Sequence, residues 1–271
     1  MNRGRSRSRS VAFLALALSL SCGASSGELQ VPPDQSLTPH QYEELGLPGL
    51  GADWSAEERT QARSVLRSLA AERPEQLPRF ASESSGAVFA KLLHEEFDRR
   101  GEFEGEVGSV PVGELERMEP DDLAHLMQAD TLEGIYAPES THGLLFDREQ
   151  VQFAYQRFGK AVALRGDLEA NLSEVEASPI RGQDHAARYR ELLQFNDQVL
   201  VQLLANIAAF AVTERFTPAA RSDAVSCLAE QVPQIAPLLS TDAQAKLREI
   251  IHEASASPGA DPRLEALFRQ L

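Results

Sequence analysis

Apolar residues in this chain recur mostly three and four positions apart, the spacing of one face of an α-helix, and few segments alternate as strands do. The longest such run covers residues 147–177, where Val151, Tyr155, Phe158, Val162, Leu168, Leu172 and Val175 keep that spacing. At 1.5 Å per residue it predicts a helix of about 45 Å. A second run of similar length, residues 184–215, carries Tyr189, Leu192, Leu193, Val199, Leu200, Leu203, Ile207 and Phe210. Pro179 and Gly182 fall between the two. So short a connection between long amphipathic helices favours an antiparallel hairpin.

Shorter helices flank this pair. Thr38-Pro39-His40-Gln41 and Ser55-Ala56-Glu57-Glu58 are capping-box patterns, in which a hydroxyl and a Glu or Gln three residues on satisfy each other's backbone N–H. The first predicts a short helix stopping near Gly46, the second a helix to about Glu72, and Val88, Phe89, Leu92, Leu93 and Phe97 mark a third over residues 82–99. Residues 102–107 alternate acidic and other residues and read as a short strand or an irregular loop. Short helices are expected over 120–128 and 131–136. Thr217-Pro218 then opens a helix containing Val225 and Leu228 that Pro233 and Pro237 break. Thr241-Asp242-Ala243-Gln244 caps another with Leu247, Ile250 and Ile251, and Pro258-Gly259 precede a last short one. The expected fold is all-α: an antiparallel helical bundle with two long central helices and several short ones. It spans residues 38–271, as one domain or as two packed subdomains, 38–140 and 141–271.

The N-terminus has a different character. Arg3, Arg5, Arg7 and Arg9 precede an apolar run over residues 11–20, too short to span a bilayer, and small residues follow it. This is the layout of an export signal. Its end, Leu18-Ser19-Leu20-Ser21-Cys22-Gly23, resembles the cleavage box of bacterial lipoproteins, with leucines on either side of the position three before the cysteine. The resemblance covers the N-terminal segment alone. It implies that residues 1–21 are removed, that Cys22 is the lipidated first residue of the mature chain, and that Gly23 beside it directs the protein to the outer membrane, facing the periplasm or the cell surface. Ordinary cleavage after Ala24, with Cys22 and Ala24 as the small pair, is the alternative. Residues 22–37, rich in Ser, Gly, Pro, Gln and Glu, read as a flexible tether.

Removal of the signal takes four arginines and no acids, so the formal net charge of −15 becomes −19. So acidic a body repels nucleic acid, whose binding depends on Lys and Arg neutralising phosphates. The expected partners are therefore the membrane, through lipid at Cys22, and an envelope protein, with no nucleic acid. Cys227, the second of two cysteines, lies between Val225 and Leu228 and reads as a small buried hydrophobe.

Candidate chemistry is sparse. His94-Glu95-Glu96-Phe97-Asp98 has the outline of the H-E-x-x-H zinc helix with aspartate at the second ligand position, and no third ligand follows at a recognisable spacing. An amphipathic helix explains it equally, and no metal or cofactor is assigned. His40, His94, His125, His142, His185 and His252 are scattered, and Ser84-Ser85-Gly86 lacks the G-x-S-x-G elbow. Glu102, Glu104 and Glu106, and then Glu114, Glu116, Glu119, Asp121 and Asp122, read as solvated acids. Asn196 and Asn206 fall on or beside the apolar stripe of the second long helix, as register-setting or edge residues. No catalytic residues are assigned. The sequence points to a lipid-anchored envelope protein with an interaction or structural role. A hydrolase whose histidines and carboxylates meet only on folding, and a small-molecule or cation-binding module, stand as alternatives.

Overall fold

Residues 30–97, 130–177 and 183–271 are described by the computed structural model, and they form nine α-helices. These are α1 (Pro39–Glu44), α2 (Ala56–Glu72), α3 (Gly86–Phe97), α4 (Asp130–Ile135), α5 (Asp147–Ala177), α6 (Gln183–Val212), α7 (Pro218–Ile235), α8 (Thr241–Ala256) and α9 (Pro262–Gln270). The fold is an all-α bundle. Among the described residues the one strand-like feature is an isolated parallel bridge between Gln30 and Leu144.

Both capping boxes form. The Gln41 amide donates to Thr38 Oγ1 at 3.4 Å while the Thr38 amide donates to Gln41 Oε1 at 2.9 Å. At α2 the Ser55 amide reaches Glu58 Oε2 at 2.7 Å and the Glu58 amide reaches Ser55 Oγ at 3.2 Å. α5 and α6 pack along each other as the expected long pair, with α7 and α8 against α6 and α9 against α7 and α8. α6 is long and apolar enough over His185–Val212 to cross a membrane, yet half of its most apolar window is buried inside the bundle. That burial is what a central core helix shows.

Several boundaries depart from the sequence reading. α3 starts at Gly86 rather than at Ser82, because Ala81 takes a φ of +55° and Ser82 Oγ accepts from the Ser84 and Ser85 amides, folding that stretch into a turn. Pro233 does not end α7, which continues to Ile235. Proline inside a helix removes one hydrogen bond, but here only two helical residues follow it, and buried Val232 and Ile235 hold the last turn to the core. The cap of α8 is Ser240 rather than Thr241: its amide is bound by Asp197 Oδ2 at 2.9 Å and its carbonyl receives Gln244 N at 2.8 Å. Residues 30–37, expected as tether, lie against the body. The Leu145 amide donates to the Gln30 carbonyl at 2.9 Å, Arg79 Nη1 to the Pro32 carbonyl at 3.0 Å, and the Leu37 amide to Tyr42 Oη at 3.2 Å. The segments expected over 102–107 and 120–128 lie outside the described residues.

Two apolar clusters fill the bundle. One gathers Tyr42, Trp54, Leu66, Leu69, Val88, Phe89, Tyr136, Phe146 and Phe153 from the N-terminal helices and the start of α5. Its centre is aromatic, with Tyr136 edge-on to Phe89, Phe146 and Phe153 at centroid distances of 5.9, 5.2 and 5.5 Å. The other runs from Val151 and Phe158 through Leu168, Tyr189, Leu200, Ile207, Leu228 and Leu247 to Leu264. α5 belongs to both: Phe153 faces the first cluster while Val151, Ala154 and Phe158 face the second.

Candidate functional site

A group of charged side chains links α3 to the start of α2. Trp54, just ahead of the Ser55 cap, is almost fully buried, and its indole Nε1 donates to the Gly49 carbonyl at 2.9 Å. Its amide donates to Glu95 Oε1 at 3.0 Å. Lys91, one turn earlier on α3, places Nζ 2.6 Å from the same oxygen and 3.5 Å from Asp53 Oδ1, and it lies 5.8 Å from the centre of the Trp54 ring. Arg59 donates to the Trp54 carbonyl and stands 3.5 Å from Glu95 Oε2, and Arg63 pairs with Glu96 at 2.9 Å. Burial pushes the Glu95 carboxyl up, but the hydrogen bonds from Lys91 and the Trp54 amide, with the Lys91 charge, more than offset this and leave it below its ordinary range.

Asp53, His94 and Glu95 bring three potential ligand atoms within 4.8 Å of one another. The cation among them is Lys91, whose ammonium already bridges Asp53 and Glu95. Glu95 spends its other contacts on a backbone amide and an arginine, so the group is a neutralised brace between helices. The cleft beside it, lined by Trp54, Arg63, Leu66, Leu92, Glu96 and Leu132 among others, encloses about 20 Å³. That is room for about one water and far below the ≈300–1,000 Å³ of a small-molecule pocket.

Among the described residues the histidines stay apart. His40 lies 3.4 Å from Glu44 on the exposed face of α1, and His94 is 3.7 Å from Asp53. His142 Nε2 meets the Ala71 carbonyl at 2.6 Å, and the His252 ring lies on Phe268 at 4.7 Å. His185 is exposed on α6, and His125 lies outside the described residues. So do Cys22, Asp98, Glu102, Glu104, Glu106, Glu114, Glu116, Glu119, Asp121 and Asp122. Ser84 and Ser85 take part in a hydroxyl cluster rather than an elbow: Ser36 Oγ lies 2.5 Å from Asp34 Oδ1 and 3.1 and 3.0 Å from the Ser82 and Ser84 hydroxyls, while Ser85 Oγ accepts from the Arg79 amide at 2.9 Å. No histidine joins these hydroxyls among their hydrogen bonds, and the cluster ties the entering chain to the turn before α3.

Asn196 is fully buried and its Nδ2 donates to the Ala161 carbonyl at 3.0 Å, across the α5–α6 interface. Asn206 sits half-buried at the edge and faces Gln202 at 3.2 Å. Cys227 is half-buried, and burial, aided by the charges of Asp223 and Glu230, pushes its thiol up to about 12. Such a thiol is a poor nucleophile.

Two buried ion pairs had no counterpart in the sequence reading. Glu149, wholly inaccessible, accepts from Arg79 Nε at 3.0 Å and from the Phe80 amide at 2.7 Å, and Arg79 lies over the Phe146 ring. Arg165 on α5 pairs with Asp197 on α6 and donates to the Leu238 carbonyl, while Asp197 takes the Ser240 amide. The sequence signal was present in the helical register: Arg165 lies four residues past Ala161 and three before Leu168, inside the apolar stripe. Comparison with protein-family models, curated proteins and solved structures gave no match.

Proposed function

We propose that this chain is a lipid-anchored protein of a bacterial cell envelope, whose acidic helical body serves an interaction or structural role at the membrane. The observation that carries this reading is the N-terminal segment: four arginines, an apolar run too short to span, and Ser21-Cys22-Gly23 where a lipoprotein is cut and acylated. Each buried methylene of an acyl group contributes about 0.8 kcal/mol, and more than one chain makes attachment stable.

The body's interior chemistry supports the same reading. Of its buried carboxylates, Glu95, Glu149 and Asp197 are each held by an arginine or lysine and a backbone amide, and Asp147 takes the Arg148 and Thr217 amides, so all four act as braces. Along α6 and just past it, residues 198–213 carry no charged side chain, and Gln198, Gln202 and Ala209 are exposed there. On so acidic a chain, an uncharged strip is where a second protein would approach against less repulsion.

Membrane fractionation of the native host tests the proposal. The wild-type chain is expected in the membrane fraction, released by detergent and not by salt, and Cys22→Ser is expected to lose that behaviour. Equal distribution of the two chains would remove the anchor.

A further inference from the structure

Residues 30–37 lie in a groove that holds them chiefly through their main chain. Val31 and Pro32 each precede a proline, which favours an extended backbone, and Gln30 makes a parallel bridge with Leu144. The Leu145 amide donates to the Gln30 carbonyl at 2.9 Å, Arg79 Nη1 to the Pro32 carbonyl at 3.0 Å, and Ser84 Oγ to the Ser36 carbonyl at 3.3 Å. The Leu37 amide donates to Tyr42 Oη at 3.2 Å. Carbonyls two residues apart that meet one surface follow the alternation of a strand. Side chains add less. Pro32 is buried, the Ser36 hydroxyl reaches Ser82 and Ser84, and Leu37 packs on the first cluster, while Pro33, Asp34 and Gln35 are exposed.

The groups that read this segment are fixed by contacts of their own. Arg79 Nε is held by Glu149 at 3.0 Å, its guanidinium lies 4.9 Å from the Phe146 ring centre, and its amide donates to Ser85 Oγ. Tyr42 Oη donates to the Gln76 carbonyl at 2.6 Å and still accepts from Leu37. Leu145 is buried in the second cluster. These contacts do not involve residues 30–37, so the groove stands ready without its occupant. Extended peptides bind such edges by main-chain hydrogen bonds, with pockets for alternate side chains giving selectivity. Here the selective position is the buried Pro32. Beside the exposed Gln35, the Ser36 hydroxyl touches the turn that carries the exposed Glu83, on a chain whose net charge is −15. A basic residue at that position gains an attraction that Gln35 lacks.

Resting on the interaction reading above and deepening it, we propose that residues 30–37 are the built-in occupant of a peptide-binding groove, and that an extended, basic, proline-bearing segment of a partner protein takes their place. A second copy's residues 30–37 bring only the contacts already made, and the chain's own segment competes at an effective concentration of about millimolar. The displacing segment is therefore one with a contact to gain.

Fluorescence anisotropy of a labelled synthetic peptide copying residues 30–38 tests this on the full chain. The Pro32→Asp chain cannot seat its own segment, because a charge would enter the buried position. The peptide is expected to bind that chain at least about tenfold more tightly than wild type, which its own segment protects. Pro32→Asp in the peptide is expected to abolish binding. Gln35→Lys in the peptide is expected to tighten it about threefold, with the gain lost in molar salt. Should the Pro32→Asp chain lose helical ellipticity, the peptide is expected to restore it. A peptide that neither binds nor refolds that chain would overturn the groove, as would equal binding to wild type or equal binding of the Pro32→Asp peptide. No gain from Gln35→Lys would overturn the basic partner. Sedimentation of wild type as a dimer, with Pro32→Asp a monomer, would make a second copy the occupant and overturn the partner. The readout needs no acyl group, so loss of the anchor and loss of the groove are separate results.

Discussion

Arg165 and Asp197 show what a period-based reading leaves out. Each sits within an apolar stripe, and a pattern of apolar positions assigns every charged residue to solvent by default. The structure instead buries both and gives Asp197 the amide of Ser240, the N-cap residue of α8, as well as the guanidinium. Removing one partner of such a pair strands the other, so Asp197→Ala is expected to cost about 3–5 kcal/mol in urea unfolding. A loss under 1 kcal/mol would show the pair to be solvated. Glu95 carries a pH dependence of definite sign. Its carboxyl lies below the ordinary value in the folded chain, so its contribution is complete above the unfolded pKa of about 4.3 and is lost as pH falls through the lower folded value. Wild type is expected to exceed Glu95→Gln in stability at pH 7, with the gap closing under strong acid; a gap independent of pH would contradict the pairing with Lys91. Cys227, with its thiol near pKa 12 and half-buried, is expected to react with a thiol reagent at pH 7.5 far more slowly in native protein than in urea. Equal rates would contradict its burial.

At the scale of elements, the caps and long periodic runs were readable because their causes are local. Thr38 and Ser55 each find a partner three residues away, and α5 spans the very residues, Asp147–Ala177, over which its apolar spacing holds. Ser55→Ala is expected to destabilise by about 1 kcal/mol, read from the urea midpoint, and no change would mean the box is frayed. The boundaries that moved were decided by distant contacts. Asp197, forty-three residues before Ser240, fixes where α8 starts. Pro233 stays in α7 because the core holds Val232 and Ile235 around it. Restoring the missing N–H with Pro233→Ala is expected to stabilise by about 1–3 kcal/mol; a loss would show that the ring itself packs usefully.

Taken whole, the molecule is two apolar clusters sharing one helix, and that sharing was not visible in the sequence, because neighbouring residues of α5 face different clusters. The single tryptophan, Trp54, reports on the first cluster, while the long helices of the second dominate helical ellipticity. Because α5 threads both, fluorescence and ellipticity are expected to give coincident unfolding transitions; separated midpoints would show that each cluster folds alone. The functional reading draws on the chain's beginning instead of its body. Helical periodicity reports packing, and packing alone does not name a partner, whereas the proposed envelope location rests on the export-signal pattern and the proposed lipidation at Cys22. The most direct test is the intact mass of the mature protein extracted from its native membranes. The account requires a chain of residues 22–271 carrying acyl groups. An unmodified chain beginning at Ser25 would contradict it and make the body a freely diffusing exported domain.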